Sequence, residues 1–321
     1  MEGYILSIVV PSYNISKYVD EVIPYYIDER FFGLLKILLI DDGATDDTRE
    51  KIKPYVDKYP QLFFFYHKEN GGHGSVINYA VEHVIDTKYF KVIDGDDWVF
   101  PDALFDLITY LKDADDDLVI SDCSYEFHDH QSISYGIRKE SGLYNLRIHN
   151  VTFKTSIFTK NSIHVREKVF YEDSQYVLYP LEFVRTIKYL PGVVARYRQD
   201  DPNQSVNPSV QLKRKDQYEI VLLDLLDFSR RIEMNCFIKE DLKIFIFNSV
   251  SRIMFGAFEL NWSYFRPTNE AIKDCRRINK TYKEHHLIYT LMKKKYKRFR
   301  QMKFLHFNGI RIARLFHKGK K

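Results

Sequence analysis

The chain has 321 residues, 45% hydrophobic and 29% charged, a globular composition that excludes disordered, collagen-like and coiled-coil classes. Three scattered cysteines (Cys123, Cys236, Cys275) without a C-x-x-C pair exclude a disulfide framework and a thiolate zinc site, and fit a reducing compartment. The net charge of +4 hides an asymmetry: residues 276–321 carry sixteen Lys/Arg against one acid, Glu284, so the remainder is acidic.

The first residues contain Glu2, lack a basic leader and soon meet Pro11. They read as a strand rather than a signal peptide. No apolar run approaches the ~18 residues of a membrane span, and a cytoplasmic protein is expected. Strands are expected at 6–10, 34–40, 62–66, 89–93 and 117–121. Between them Val19, Val22, Ile23, Tyr26 and Ile27 fall at helical spacing, as do Val76, Ile77, Ala80, Val81 and Val84. Ile52, Tyr55, Val56 and Tyr59 predict another helix, which Pro54 should kink or interrupt. Pro101 opens a fourth, through Leu104, Phe105, Ile108 and Leu111. Strand–helix alternation means βαβ units and a mostly parallel sheet flanked by helices, an α/β fold. Residues 122–207 are less regular, and the pattern turns helical from about 210. The PNQSVNPS loop chemistry marks a boundary between 1–210 and a helical region, 211–321.

Parallel sheets bind ligands beyond the carboxyl ends of their strands. Polar clusters stand at four such ends: Pro11-Ser12-Tyr13-Asn14, Asp41 to Asp47, Asn70-Gly71-Gly72-His73-Gly74-Ser75, and Asp94-Gly95-Asp96-Asp97. Each alone is ordinary turn and capping chemistry; four on one edge imply a site. Asp94 and Asp96 sit two apart, and in an extended segment both carboxylates face one side. Such crowding raises carboxyl pKa values unless a cation or hydrogen bonds compensate. The pair therefore reads as a seat for Mg²⁺ or Mn²⁺ and a phosphorylated ligand. The Gly-Gly-His-Gly run opens a helix with bare amides that an anion can approach. For His73 itself, a turn histidine and a functional one are equally consistent. Neither a Walker loop nor a G-x-G-x-x-G follows the first strand.

The set SIVVPSYN, LLIDDGATDDT, KENGGHGSVIN and VIDGDDWVFPDAL, in that order, resembles a family-two glycosyltransferase of the GT-A fold over about residues 4–210. The resemblance implies a nucleotide-sugar donor, usually of uridine diphosphate. It places Pro11, Tyr13 and Asp42 at the nucleoside, and Asp94 and Asp96 at the ribose and the diphosphate-bound metal. It also implies a general base in VFYEDSQYVLYPL, with Asp173 first and Glu172 second, and an inverting displacement. Arg198, Gln204 and Ser205, in RYRQDDPNQSVN, become candidate phosphate contacts on a closing segment, with Arg196 an alternative to Arg198. One departure is Val76-Ile77-Asn78, where many relatives carry Ala-Arg-Asn. The other readings are a nucleotidyltransferase-like or phosphatase-like enzyme, and a non-catalytic carbohydrate- or membrane-binding scaffold. A phosphatase of that kind wants an Asp after the first strand, where Pro11-Ser12-Tyr13 stands.

In the basic tail, Leu291, Met292, Tyr296, Phe299 and Met302 recur near helical spacing among Lys and Arg. Such a segment suits an anionic membrane surface, where a glycan or lipid-linked acceptor would be met. Packing on its own domain is the competing reading. No nucleic-acid module is recognisable.

Overall fold

The computed structural model describes residues 3–126, 132–135, 146–199, 204, 207–262 and 267–311. The chain forms two compact units, residues 1–201 and 202–321. The first begins β1 (Leu6–Pro11), α1 (Ser16–Val22), β2 (Leu35–Asp41), α2 (Thr48–Lys58), β3 (Phe63–His67), α3 (His73–Tyr79), β4 (Tyr89–Val92). It continues through β5 (Trp98–Val99), α4 (Pro101–Asp113), β6 (Leu118–Glu126), β7 (Ser132–Tyr135), β8 (Val151–Lys154), α5 (Thr155–Asn161), α6 (Asp173–Leu178) and β9 (Ile187–Arg198).

The sheet order is β3-β2-β1-β4-β8-β6-β9-β5, with β7 on β6. Strands β1 to β4 are mutually parallel, so their carboxyl ends share one edge. β1 lies inside this half and is buried along its whole length, as expected of a strand covered on both faces. The other half is mixed: β8 runs antiparallel to β4 and β6, while β9 runs parallel to β6. One face of the sheet packs Ile8, Val10, Ile37 and Leu39 against Val19 and Val22 of α1, Ile52 of α2, and Leu104 and Ile108 of α4.

Helix α2 runs through Pro54 without interruption. An interior proline costs ~3 kcal/mol, but Ile52 is fully buried and Tyr55 and Val56 pack on the same core. Burying one such side chain returns roughly 1.5–3 kcal/mol, so packing decides. Asp46 holds the starts of both α1 and α2, accepting from Ser16 N at 3.1 Å and Thr48 N at 3.1 Å. That is the ordinary capping role.

The second unit is helical: α7 (Pro208–Lys213), α8 (Lys215–Met234), α9 (Glu240–Trp262), α10 (Thr268–Tyr282), α11 (His286–Lys295) and α12 (Lys297–Phe304). The apolar residues of the basic segment turn inward here. Met292 and Phe299 are fully buried. The Phe299 ring lies 4.6 Å from that of Phe258, and Tyr296 stacks on Phe255 at 4.1 Å. The stripe is thus spent on the unit's own core, while Lys294, Lys295 and Lys297 remain exposed. Phe299→Ala should cost about 3–5 kcal/mol of stability, read as a lowered denaturation midpoint of the full chain. Among the described residues no helix is long and apolar enough to cross a membrane.

Candidate active site

The polar clusters do meet at the carboxyl edge of β1 to β4, but with divided labour. Asp42, at the end of β2, is buried and fully occupied by the loop after β3. It accepts from Lys68 Nζ at 2.6 Å, Gly71 N at 3.0 Å, Gly72 N at 2.8 Å and Ser75 Oγ at 3.4 Å. The glycine amides expected to face a ligand anion therefore face this carboxylate. Pro11 is buried at the end of β1, and Tyr13 beyond it is exposed, leaving a ring face open.

The acid loop after β4 is not extended. Asp97 N donates to Asp94 O at 3.0 Å, closing a turn that places residues one and four side by side. Gly95 lies in that turn against β1, where a Cβ would stand 2.6 Å from Pro11 O. Among the described residues, the group of side chains that could hold a metal ion is Asp94, Asp97 and His149, with ligand atoms all within 4.8 Å of one another. Asp94 of the expected pair belongs to it and Asp96 does not.

His149 sits on the single helical turn Ile148–Asn150 that leads into β8. The wholly buried Lys91 of β4 fixes that turn by donating to His149 O at 2.6 Å, and burial draws the lysine down to about 7. Burial also holds the His149 imidazole down to about 4, so it is neutral and keeps a lone pair. Asp97 is pushed well above the usual carboxylate range by burial and by Asp96 and Asp94. Asp97 Oδ2 and His149 Nδ1 lie 3.6 Å apart. Both are buried without a hydrogen-bond partner. Two carboxylate oxygens and one neutral imidazole nitrogen, with the Asp97 and His149 atoms orphaned, suit a divalent cation.

A second cluster abuts this one. His73, first residue of α3, places Nε2 3.0 Å from Asp94 Oδ1 and Nδ1 2.7 Å from Glu172 Oε1. Burial opposes a charge on the ring, but the two carboxylates outweigh it and raise its pKa well above the usual value. Asp94 is correspondingly lowered, its burial being outweighed by His73. Asp173, beside Glu172 at the start of α6, is open to solvent yet walled by protein. That enclosure, then the Glu172 charge, raises its carboxyl to about 6. A carboxyl ionising near 6 is suited to general-base work.

Gly74 permits the close approach of α3 to the residues before Glu172. A Cβ there would stand 2.2 Å from Arg166 O and 3.0 Å from Glu172 Cγ. Gly74→Ala should cost about 1–3 kcal/mol by overpacking, with a lower melting temperature and loss of any activity that needs Glu172 in place. Asn78 grips the same segment, exchanging bonds of 2.9 and 3.0 Å with Val165. Ile77, where the family resemblance leads one to expect arginine, is buried in the core.

Arg198, at the end of β9, braces the acid loop. Its N donates to Asp97 Oδ1 at 2.8 Å and its Nε to Asp96 O at 2.9 Å, and its guanidinium pairs with Glu21 at 2.8 Å. Arg196 pairs instead with Glu126 at 3.0 Å. Gln204 is half-buried at the start of the second unit, and Ser205 lies outside the described residues. Sequence reasoning left His73 undecided and singled out neither Asp97 nor His149, the two residues that the fold groups with Asp94. The turn chemistry of Asp94-Gly95-Asp96-Asp97 was a usable signal for Asp97; nothing in the local sequence marks His149.

The family model for glycosyl transferase family 2 matches residues 7–173, just over half the chain. The chain belongs to glycosyl transferase family 2. Over 130 residues it is 33% identical to the uncharacterized glycosyltransferase RT0329 of Rickettsia typhi, covering 40% of this chain and 39% of that protein. Over 119 residues it is 26% identical to the minor teichoic acid biosynthesis protein GgaB of Bacillus subtilis, covering 37% of this chain and 13% of that one. The matched part thus spans well under two thirds of these relatives. Among solved structures, S. aureus TarS superposes with a TM-score of 0.61 at 15% identity, covering 95% of this chain and 54% of that one. TarS 1-349 in complex with UDP-GlcNAc gives 0.54 at 16% identity, covering 87% and 92%. The mannosyltransferase PcManGT from Pyrobaculum calidifontis, in complex with GDP-Man and Mn²⁺, gives 0.54 at 13% identity, covering 98% and 88%. At such identities the likeness concerns the fold, which is the GT-A arrangement.

Proposed function

We propose that the chain is a metal-dependent, inverting glycosyltransferase that moves a sugar from a uridine diphosphate donor to a hydroxyl of a glycan or lipid-linked acceptor. The carrying observation is the orphaned pair Asp97 Oδ2 and His149 Nδ1 beside Asp94, in a family 2 fold that also carries a carboxyl raised to about 6 at Asp173. The uridine choice is supported by a structural neighbour that holds UDP-GlcNAc.

Asp94, Asp97 and His149 would hold Mn²⁺ or Mg²⁺, which supplies positive charge against the leaving diphosphate. Pro11, Tyr13 and Asp42 border the nucleoside, Tyr13 by its open ring and Asp42 by fixing the loop from Lys68 to Ser75. Asp173 takes the proton of the acceptor hydroxyl as its oxygen bonds to the anomeric carbon. The carbon–oxygen bond to the diphosphate breaks on the opposite side, its electron pair leaves with the nucleoside diphosphate, and the configuration inverts. Arg198 serves by holding the acid loop in shape.

The test is UDP release from UDP-GlcNAc, UDP-glucose and GDP-mannose, with and without Mn²⁺. Metal-dependent consumption of a UDP-sugar is expected. GDP-mannose consumption alone would overturn the uridine choice, and metal-independent release the cation.

For the tail, we propose electrostatic rather than inserted contact with an anionic membrane surface, worth ~1 kcal/mol per basic residue. Changing Lys294, Lys295 and Lys297 to Glu should abolish co-sedimentation with anionic vesicles. Such charge reversals spare the core that deletion of α11 and α12 would destroy.

A further inference from the structure

Helix α3 and the loop leading into it are fastened to the segment before α6 at several points. Lys168 N donates to Gly71 O at 2.8 Å, and Asn78 and Val165 exchange the two bonds already described. Those contacts stop on that segment. His73 alone among them reaches further, its other ring nitrogen meeting Asp94 of the acid loop. One rigid imidazole thus spans Asp94, which lies in the metal-competent group, and Glu172, the chain neighbour of Asp173.

We propose that His73 is a positioning residue, a two-ended spacer that sets the distance between the donor-binding acid loop and the base-bearing turn. The proposal rests on the glycosyltransferase reading. The imidazole touches neither the anomeric carbon nor the acceptor in this scheme; it acts through Glu172 on where Asp173 stands. A ring suits the task because its two nitrogens point in fixed, divergent directions, whereas a flexible amide or ammonium would not hold a spacing. Each nitrogen faces one carboxylate oxygen, Nε2 that of Asp94 and Nδ1 that of Glu172. Glu172 is only 3% exposed, and its second oxygen has no partner. Its orientation is therefore set largely by this bond. An error of ~1 Å in placing a reacting group costs about 10²-fold in rate.

The prediction is a split between kcat and KM. In the full chain with UDP-GlcNAc and Mn²⁺, His73→Phe should lower the kcat for UDP release about 10²-fold, with the donor KM held within about threefold. His73→Gln, which can still donate to one carboxylate, should recover part of the loss. The double variant His73→Phe, Glu172→Gln should be no slower than His73→Phe alone, because the two act as one unit. It also removes the buried unpaired charge, and it carries the test if the single variant does not fold.

A folded His73→Phe with wild-type kcat overturns the bridge alone, as does a loss in which kcat, KM and melting temperature fall in step. A double variant with wild-type kcat does the same. A wild-type chain that consumes no nucleotide sugar overturns the glycosyltransferase reading, and the role of the bridge with it.

Discussion

Asp173→Asn is expected to lower kcat by about 10³-fold, within the 10²–10⁴ range of general-base catalysis, while UDP affinity in Mn²⁺ stays within about threefold. The substitution preserves size and removes the proton acceptor, so the effect falls on the chemical step. The wild-type pH profile carries the same signature. Enclosure by protein, then the charge of Glu172, hold the Asp173 carboxyl at about 6 rather than its ordinary 3.8. The base works only when ionised, so kcat/KM should rise with pH and level off above about 6. A profile inflecting near 4, or full transfer by Asp173→Asn, removes Asp173 as the base.

Stability should move the other way. A carboxyl raised in the fold favours the protonated form, so its stabilising contribution is complete below the ordinary value and lost as pH climbs through about 6. At neutral pH the ionised Asp173 beside Glu172 is therefore a strain on the fold. Asp173→Asn should melt higher than wild type at pH 7 and show no such gain at pH 4. A variant that is inactive yet more stable cannot be explained by misfolding.

The parallel half of the sheet was legible because each strand and helix there obeys its own period, and the turns between them carry Gly, Asp and Asn. β9 was not, since Pro191 and Gly192 fall inside it and read as a break. In the fold the strand absorbs them through a shift in register, Ile120 facing Tyr189 and Asp122 facing Val193. Pro54 misled in the opposite direction, because a local rule was weighed without the core packing that overrides it. At the site, the motifs single out Asp94 and Asp173, both of which the proposed scheme uses. Pairing Asp94 with Asp96 assumes an extended backbone; the chain turns there, with Asp97 N closing on Asp94 O, and Asp97 is the partner we propose. His149 had no local signal at all. It arrives on a turn before β8, an antiparallel neighbour of β4, and only the assembled sheet sets it beside the acid loop. The Gly71 and Gly72 amides show a related limit: a sequence offers donors, but not which acceptor takes them first.

The cation site makes the second large prediction. In wild type, UDP with Mn²⁺ should raise the melting temperature well beyond UDP alone, since a ligand at 100 times its dissociation constant stabilises by about 2.7 kcal/mol. Asp97→Asn should erase the metal-dependent part of that shift and lower transfer about 10³-fold, the loss of several kcal/mol of charge stabilisation. The same variant should not destabilise the free protein. Asn keeps an acceptor for Arg198 N, which now meets Asp97 Oδ1 at 2.8 Å, and one charge leaves a turn that also holds Asp94 and Asp96. His149→Phe, which retains an aromatic ring against Tyr197, now stacked at 4.3 Å, should weaken Mn²⁺ binding in the same assay. Asp96→Ala separates the two possible seats. If it abolishes the Mn²⁺-dependent shift while His149→Phe leaves it whole, the cation belongs to the Asp94 and Asp96 pair and the turn geometry has been misassigned. If His149→Phe and Asp97→Asn abolish it together, the turn and the imidazole from beyond β4 form one seat, and the orphaned atoms have found their partner.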